Sequence, residues 1–425
     1  MFDLSKIKIC VIGLGYVGLP LAVEFSKKFK TLGFDIQASR VDELSKGIDV
    51  TNEVTAGELE QASNIHFTSQ VEDIGDCNFY VLTVPTPVDT DCIPDLSMVE
   101  SASRLLGKYL TPHDVVVYES TVYPGATEEV AVPILEQESG LTLNKDLFVG
   151  YSPERINPGD KNNHLRDIVK IVSGSTPLCT EYINLVYSSI IRAGVHQAQS
   201  IKVAEAAKVI ENTQRDTNIA LINEFSIIFD KLSIDTKHVI DAAKTKWNFQ
   251  AFYPGLVGGH CISVDPYYLA HKAGRVGHYA EMILSARRIN EGMASHTANK
   301  LVRLMNHKKI HVVDSDILML GFTFKENCPD VRNTQIYQLY DELLMHNAKV
   351  DIYDPLACPD TVSEHYGLEM IKCYKQKKYD AVVIAVAHDE FNELGETEIG
   401  AITKENKVVF DLKGILKQDL ADARL

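Results

Sequence analysis

Several patterns that define particular classes of protein are missing from this sequence. The eight cysteines include no CxxC pair, which argues against a disulfide framework or a zinc site and fits a reducing compartment. No uninterrupted apolar run reaches the ~18–20 residues of a membrane span. Because a strand is predicted to begin at about Lys6, we expect no N-terminal signal peptide. We therefore expect a cytoplasmic protein with no membrane partner and no bound metal.

An excess of basic residues is also missing. The chain has 42 Lys and Arg against 58 Asp and Glu, a net charge of −16, so nucleic acid is not expected as a partner. An anionic ligand would need local basic residues or helix N-termini to hold it. The composition is otherwise that of a globular protein, and 425 residues are enough for two or three domains.

The N-terminal segment carries a dinucleotide-binding motif. The apolar strand predicted over Lys6–Ile12 leads into the GxGxxG glycines Gly13, Gly15 and Gly18, and a helix and a second strand ending in Asp35 follow. In this setting the first glycine makes the turn, the second admits the pyrophosphate and the third packs helix on strand. The carboxylate can accept from both ribose hydroxyls and would repel a 2′-phosphate. The pattern favours NAD over NADP, whereas an isolated GxGxxG would be an ordinary loop.

Polar residues follow three later predicted strands. Thr86, Thr121 and Glu154 each come shortly after an apolar run of strand type. The carboxyl ends of parallel strands form the ligand-binding edge of a doubly wound sheet. Each residue alone could simply cap the segment that follows it, but three at one edge favour a site.

Residues 200–230 contain neither Gly nor Pro and predict one helix much longer than the usual ~11–12 residues. The second half is more apolar, which suggests burial between domains or subunits. Lys208 and Asn212 share a face of this helix. From the residues alone, a surface pairing of Lys208 with Glu205 or Glu211 is slightly favoured over a role in a site.

The segment Gly255–Asp265, GLVGGHCISVD, places Cys261 in a glycine-rich turn four residues before a carboxylate. A thiol held in such a turn with an acid nearby is arranged for covalent chemistry, and the glycines let the backbone approach a ligand closely. Two alternatives remain. Cys261 could be a core thiol, and Asp265 could be the N-cap of a helix that Gly274 ends.

The last third of the chain repeats the order strand, glycine, helix, strand, acid, but lacks GxGxxG, so a second NAD site is doubtful. Lys325 and Arg332 flank an acidic loop and could bind phosphates or form surface ion pairs. The whole pattern predicts an α/β fold with two Rossmann-like, doubly wound parallel-sheet domains joined by a long central helix.

Seven motifs occur in order along the chain: GLGYVGLPLA, VPTP, ESTVYPG, SPERINPGD, EAAKVIENTQRD, GLVGGHCISVDPYYL and GFTFKENCPDVRNT. Together they resemble the UDP-glucose/GDP-mannose 6-dehydrogenase family over essentially the whole chain. GGHC in place of the glucose enzymes' usual GGxCFPKD points to the UDP-N-acetylhexosamine branch. The resemblance implies an NAD-binding domain over residues 1–197, a central helical dimerisation and catalytic domain over 198–305 and a UDP-sugar-binding domain over 306–425.

The resemblance implies a four-electron oxidation of the C6 alcohol of a UDP-N-acetylhexosamine, UDP-GlcNAc or UDP-GalNAc, to a carboxylate with two NAD, by a homodimer that serves surface polysaccharide synthesis. Its catalytic residues would be Cys261, Lys208, Asn212, Asp265, Thr121 and Glu154. Cys261 would capture the aldehyde as a thiohemiacetal and then carry the thioester. Lys208 would help to deprotonate the alcohol, and Asn212 would supply an oxyanion hydrogen bond. Asp265 would act as general base on a water that the last two residues position.

The same motifs imply the binding residues. The cofactor contacts would be Gly13, Gly15, Tyr16, Val17, Gly18, Asp35, Arg40, Thr86, Thr121 and Arg332. The UDP-N-acetylhexosamine contacts would be Glu154, Arg155, Lys208, Asn212, Tyr253, Gly255, Gly258 and Lys325.

Two positions depart from the glucose enzymes' pattern. Pro158 replaces a second glutamate, so any hydrolytic role of that residue must fall on Glu154 or elsewhere. An arginine that often reaches the neighbouring subunit has no clear counterpart, since Tyr253 precedes the loop and Lys246 is the nearest cation.

Three other functions stay open. The substrate could be UDP-ManNAc or UDP-glucose, the reaction could be a two-electron oxidation of the hydroxyacid type, or the chain could be a non-catalytic NAD-binding scaffold. Only the four-electron reaction needs Cys261 beside Lys208 and Asn212.

Overall fold

The computed structural model describes residues 3–156, 164–259 and 262–425, so Cys261 and Pro158 lie outside the described residues. The chain forms two units, one made of residues up to Glu211 with Tyr267–His278 and one made of Asn212–Pro266 with Tyr279–Leu425. No described helix is long and apolar enough to cross a membrane. In the same residues, no three His, Cys, Asp or Glu side chains are grouped to hold a metal ion.

A mostly parallel sheet organises the first unit. The strands described in it are β1 Lys8–Ile12, β2 Lys30–Phe34, β3 Ile65–Thr68, β4 Phe79–Leu82, β5 Val115–Tyr118, β6 Phe148–Tyr151, β7 Lys170–Gly174 and β8 Val195–Gln197. Their order across the sheet is β3-β2-β1-β4-β5-β6-β7-β8. Only β6 and β7 pair antiparallel among these neighbours. All four residues of β4, β5 and β6 are buried, as expected where helices cover both faces of a sheet.

Helices follow most strands of this unit. They are α1 Gly18–Ser26, α2 Ala38–Ser45, α3 Ala56–Gln61, α4 Ser97–Gly107, α5 Val132–Ser139 and α6 Pro177–Ser188, and then the 31-residue α7 Ile201–Lys231, which continues into the second unit. The predicted helix over 200–230 is confirmed almost residue for residue, because no Gly or Pro interrupts it.

The second unit contains a smaller parallel sheet. Its described strands are β9 Asp316–Leu320, β10 Lys349–Tyr353, β11 Tyr379–Ile384 and β12 Thr403–Asp411, in the order β10-β9-β11-β12. The helices that follow α7 along the chain are α8 Thr236–Ala243, α9 Asp265–Arg275, α10 Glu281–Glu291, α11 Met293–His307, α12 Gln335–Met345, α13 Pro359–Tyr366 and α14 Glu396–Ile402. Of these, α9 belongs to the first unit from Tyr267 onward. Two parallel-sheet α/β regions and a long central helix confirm the predicted fold class.

The end of α9 differs from the prediction. The helix passes through Gly274 and ends at Arg275, so the expected stop at Gly274 is wrong. The left-handed residue is Gly277, with φ of +82°. The N–H of His278 donates to the carbonyl of Ala273 at 2.9 Å, and that of Gly277 to Gly274 at 3.0 Å. These two bonds form a Schellman cap, which needs its glycine two residues after the last helical one.

A buried ion pair ties α7 to α10 within the second unit. Arg287 contacts Asp216 at 2.6 Å, with side chains 2% and 1% exposed. Arg287→Met should lower the free energy of unfolding by about 3–5 kcal/mol, because it leaves a buried carboxylate without its cation. Urea denaturation measures this. The control is Lys46→Met, which removes an exposed pair with Asp42 and should change stability by less than ~0.5 kcal/mol. Equal effects would contradict the prediction.

Candidate active site

The turn between β1 and α1 is shaped by its three glycines. Gly13 has φ of +93°, a conformation that favours glycine, and its N–H donates to the carbonyl of Phe34 at 2.8 Å. A Cβ at Gly18 would overlap the carbonyl oxygen of Gly13, so this glycine lets the helix pack closely. A Cβ at Gly15 would meet no described heavy atom within 4 Å. Gly15 therefore borders open space at the helix N-terminus, where a phosphate can approach.

Asp35 supports this turn. One carboxylate oxygen accepts the N–H of Leu14 at 2.8 Å, and the other accepts the N–H of Gln37 at 2.9 Å. Each oxygen has a second lone pair. Asp35 can therefore hold the turn and still accept from ribose hydroxyls.

Arg40 contacts the same turn from α2. Its Nε donates to the carbonyl of Leu14 at 2.9 Å, and its Nη2 donates to Asp49 at 2.7 Å. The side chain is buried, yet Nη1 has no partner among the described residues. Burial alone would raise the pKa of Asp49, but hydrogen bonds from Thr51 and Arg40 lower it. Asp49 thus offsets the charge of Arg40, which leaves a donor beside the turn and no strong attraction for a 2′-phosphate.

Strand register brings distant polar residues to one edge of the first sheet. The last residues of β4, β5 and β6 are direct partners, so the segments after them leave the sheet side by side. Thr86, Thr121 and Glu154 lie in these segments. Glu154 is buried and the two threonines are half-buried. The structure places the three residues at one edge, as expected.

Glu154 belongs to a buried group of charges. Lys170 Nζ lies 2.6 Å from Glu119 and 3.2 Å from Glu154. The Tyr187 hydroxyl donates to the other oxygen of Glu119 at 2.5 Å. We call Glu119, Glu154, Lys170 and Tyr187 the carboxylate–lysine cluster. Neither Lys170 nor Tyr187 was predicted from the sequence, although a lysine that opens the mostly apolar, buried strand KIVSG was an available signal.

Lys208 does not make the surface pairs that the sequence favoured. Glu205 instead accepts two backbone N–H groups of the loop after β5, at 2.5 and 2.9 Å. Glu211 pairs with Arg155 at 2.7 Å. Lys208 is buried, and its charge contributes to lowering the pKa of Glu154. The helix therefore presents Lys208 as a buried cation, and Arg155 is engaged in an ion pair.

Asn212 lies one turn further along α7 and pairs with Asp265. Its Nδ2 donates to the Asp265 carboxylate at 2.5 Å, and both residues are 2% exposed. Arg215 Nη2 donates to the side-chain oxygen Oδ1 of Asn212 at 2.8 Å. The amide orientation is therefore fixed from both sides. Arg215 was likewise not predicted from the sequence.

The glycine-rich loop is anchored by asparagines. Asn223 on α7 accepts the N–H of Gly255 at 2.8 Å and donates to its carbonyl at 3.1 Å. A Cβ at Gly258 would lie 2.6 Å from the carbonyl oxygen of Asn333. The same carbonyl accepts the N–H of Gly259 at 3.1 Å. The missing side chain at Gly258 thus admits protein backbone, and contact of this loop with substrate stays a prediction.

Two further predicted residues belong to this segment. Tyr253 is 48% exposed, and its hydroxyl accepts from Lys244 at 3.0 Å. Cys261 lies outside the described residues, so its role stays a prediction from sequence.

The second unit repeats the turn of glycine and acid, but here the hydrogen-bond acceptor sites of the acid are all occupied. Asp354 accepts four backbone N–H groups. Nδ1 of His388 accepts the N–H of Asn327 at 3.0 Å, so Nε2 carries the proton and donates to Asp354 at 2.9 Å. Five donors exhaust the roughly four lone-pair sites of a carboxylate. Asp354, unlike Asp35, is left with no capacity for ribose hydroxyls, which supports the expectation of a single NAD site.

The two predicted phosphate ligands of this unit differ in their contacts. Lys325 Nζ lies 5.7 Å from the ring centroid of Phe324. Arg332 makes a bidentate pair with Asp330, at 3.0 and 2.8 Å. The ion-pair alternative thus applies to Arg332. Its proposed contact with the cofactor stays a prediction.

Three domains of one family match the chain in order. The UDP-glucose/GDP-mannose dehydrogenase NAD binding domain covers residues 7–191, the central domain 202–292 and the UDP binding domain 318–418. The chain is 53% identical to a UDP-N-acetyl-D-glucosamine 6-dehydrogenase of Salmonella typhi over 100% of both chains. It is 52% identical to the Pseudomonas aeruginosa enzyme of the same name, over 99% of this chain and 100% of that one. The chain belongs to the UDP-glucose/GDP-mannose dehydrogenase family.

Solved structures of the UDP-glucose/GDP-mannose dehydrogenase family share the fold. A UDP-D-ManNAc dehydrogenase from Pyrococcus horikoshii superposes with a TM-score of 0.89, at 28% identity and covering 98% of each chain. The resemblance inferred from the motifs is thus confirmed, together with an NAD-dependent dehydrogenase activity.

The glycine turn of this family member fits NAD. Gly15 offers open space, Asp35 retains acceptor capacity and Arg40 retains a donor, all around one helix N-terminus. NAD, when bound, supplies the hydride acceptor. The residues that would hold it are those at the N-terminus of α1 for the pyrophosphate and Asp35 for the ribose.

Gly15→Ala should weaken NAD binding by about tenfold or more, because a methyl group would occupy the space through which the pyrophosphate approaches. The melting temperature should not fall, since the new Cβ meets no described atom. Calorimetric titration and thermal melting measure the two effects. Gly57→Ala, also at a position with open space, is the control. Unchanged NAD affinity in Gly15→Ala would place the pyrophosphate elsewhere.

Proposed function

We propose that this protein is a UDP-N-acetylglucosamine 6-dehydrogenase, which converts the C6 alcohol of the sugar to a carboxylate with two NAD. The supporting observation is the graded similarity: 53% identity to the UDP-N-acetyl-D-glucosamine 6-dehydrogenase of Salmonella typhi against 31% to the UDP-N-acetyl-D-mannosamine dehydrogenase of Pyrococcus horikoshii. UDP-GalNAc, UDP-ManNAc and UDP-glucose are the competing substrates.

The first oxidation needs the alcohol proton removed while hydride leaves C6. Lys208 is buried, and a cation in a dry site lowers the free energy of an alkoxide. Asn212 uses one Nδ2 proton on Asp265, and its second proton is the donor we assign to the oxyanion. The two residues are one turn apart on a single helix.

The second oxidation passes through the cysteine. The Cys261 thiol would add across the aldehyde carbonyl, forming a C–S bond and a hydroxyl group. Loss of the C6 hydride and of the hydroxyl proton would then give a thioester, with a second NAD as the hydride acceptor. Water then attacks the acyl carbon, the C–S bond breaks and the thiol is restored. The covalent bond keeps the reactive aldehyde in place while the reduced cofactor is exchanged.

Hydrolysis needs a base and an oriented water. We assign the base to Asp265, whose carboxylate is buried and held by Asn212. Glu154 and Thr121 are assigned to orient the water. Pro158 supplies no second carboxylate, so any hydrolytic role of that position must fall on Glu154 or elsewhere.

We also propose a cytoplasmic homodimer that supplies a uronic acid for surface polysaccharides. The α7 region exposes four apolar side chains at helical spacing, Leu221, Phe225, Ile228 and Leu232, which are 46%, 38%, 44% and 61% exposed. We call them the α7 stripe. Such a row on one face is typical of a helix that packs against a partner.

The wild type should form two NADH per UDP-GlcNAc consumed, with NAD in excess. The amount of NADH formed in equal time should be greater with UDP-GlcNAc than with UDP-GalNAc, UDP-ManNAc or UDP-glucose. Absorbance at 340 nm with product analysis measures it. A yield of one NADH would assign the protein to the two-electron dehydrogenases, and no NADH from any UDP-sugar would leave only the scaffold function.

Cys261→Ser should lower kcat by roughly 10³-fold or more, because serine does not form the thioester. Cys373→Ser changes an exposed cysteine and is the matched control. Equal activity of both variants would exclude the covalent role of Cys261.

Phe225→Asp in the α7 stripe should shift the protein from dimer to monomer in sedimentation velocity, because a charge would be buried in the interface. Met345→Asp, at a 66% exposed methionine on α12, should leave the dimer intact. A dimer that persists in Phe225→Asp would place the interface elsewhere.

A further inference from the structure

The carboxylate–lysine cluster contains more acid than base. Glu119 and Glu154 share Lys170, and the exposed fractions of these three side chains are 0%, 8% and 2%. The hydroxyl of Tyr187 is a neutral donor, since burial raises its pKa well above the ordinary value. One of the two carboxylates is therefore uncompensated inside the cluster. Lys170 lies nearer to Glu119 than to Glu154, so the other groups around each carboxylate decide which one is stabilised as an anion.

Glu154 is surrounded by donors. One oxygen accepts the N–H groups of Arg155, at 2.6 Å, and Ile156. The other faces Lys170. Burial by itself would raise the pKa of Glu154, but the charge of Lys170, the Ile156 N–H and the charge of Lys208 together lower it. Every neighbour thus stabilises Glu154 as an anion in one orientation.

The pKa of Glu119 is shifted in the opposite direction from that of Glu154. Burial raises its pKa to about 7, and the negative charge of Glu154 adds to this, although Lys170 and Tyr187 oppose it. Negative charge in the cluster is therefore favoured on Glu154 over Glu119. Beyond the cluster, the charge of Lys208 on α7 also acts on Glu154, and the adjacent Arg155 is paired with Glu211.

We propose, on the basis of the function above, that Lys170 is a positioning residue for the oxidation: it holds Glu154 as a fixed anionic acceptor for the hydrolytic water, and Glu119 anchors Lys170. An anion in that place accepts a hydrogen bond and directs the water oxygen toward the acyl carbon. A protonated Glu154 would donate instead and turn the water the wrong way. Without Lys170, two adjacent buried carboxyls would compete for protons, and Glu154 would protonate closer to neutral pH.

Lys170→Met tests this. The acidic limb of the kcat–pH profile should move upward by about one unit or more, and kcat at pH 7 should fall by about tenfold. The KM for UDP-GlcNAc should stay within about threefold, because Lys170 does not bind the substrate. Lys170→Arg keeps the charge and should restore the acidic limb. Glu119→Gln keeps the lysine on Glu154 and should not move the limb upward.

The pH dependence of the melting temperature distinguishes loss of the positioning role of Lys170 from a general loss of stability. In Lys170→Met the folded-state pKa of both carboxyls rises above the unfolded value, so stability is present at low pH and lost as pH rises through the folded pKa. The melting-temperature gap to wild type should therefore widen from pH 5 to pH 8. The double variant Glu119→Gln/Lys170→Met removes one unpaired carboxyl and should recover melting temperature while its acidic limb stays displaced.

The proposal would be overturned if Lys170→Met or the double variant folds and keeps both the acidic limb of the kcat–pH profile and the kcat of the wild type. It would also be overturned by a limb that Lys170→Arg fails to restore although that variant melts like the wild type. Failure of the proposed function is a different result, namely no NADH from any UDP-sugar in the wild type, with the pH-dependent gap in melting temperature unaffected.

Discussion

The pairing of buried charge at the carboxyl ends of the parallel strands is the constraint on which the first unit depends. A sheet covered on both faces keeps water from its strand ends, so an ionised side chain there must find a partner. Lys170 meets Glu119 and Glu154, and Arg40 meets Asp49. These partners fix where negative charge and hydrogen-bond capacity remain, at the edge where doubly wound sheets bind their ligands.

The two units show how one local plan serves different ligands. Each has a glycine with positive φ after its first strand, Gly13 or Gly321, and an acid that accepts the next N–H, Asp35 or Asp354. Asp35 accepts two donors and keeps room for ribose. Asp354 accepts five and serves the turn alone. The difference in free acceptor capacity matches the family's NAD-binding and UDP-binding domains.

Helix α7 carries both residues assigned to catalysis and the surface assigned to dimerisation. Its first half carries Lys208 and Asn212 as buried polar residues, and Asn223 further along anchors the glycine-rich loop at Gly255. Its second half exposes the α7 stripe.

The sequence by itself determined the features that depend on local pattern. The GxGxxG turn, Asp35, the bounds of α7 and the strand ends follow from periodicity and from the conformational freedom of glycine. The family and the proposed chemistry followed from the motifs at these positions. Only the tertiary structure decided the partners. Lys170 meets Glu119 from 51 residues away and Glu154 from 16, and Asp354 is saturated in part by His388. Such pairings depend on strand order and register, which no local pattern encodes.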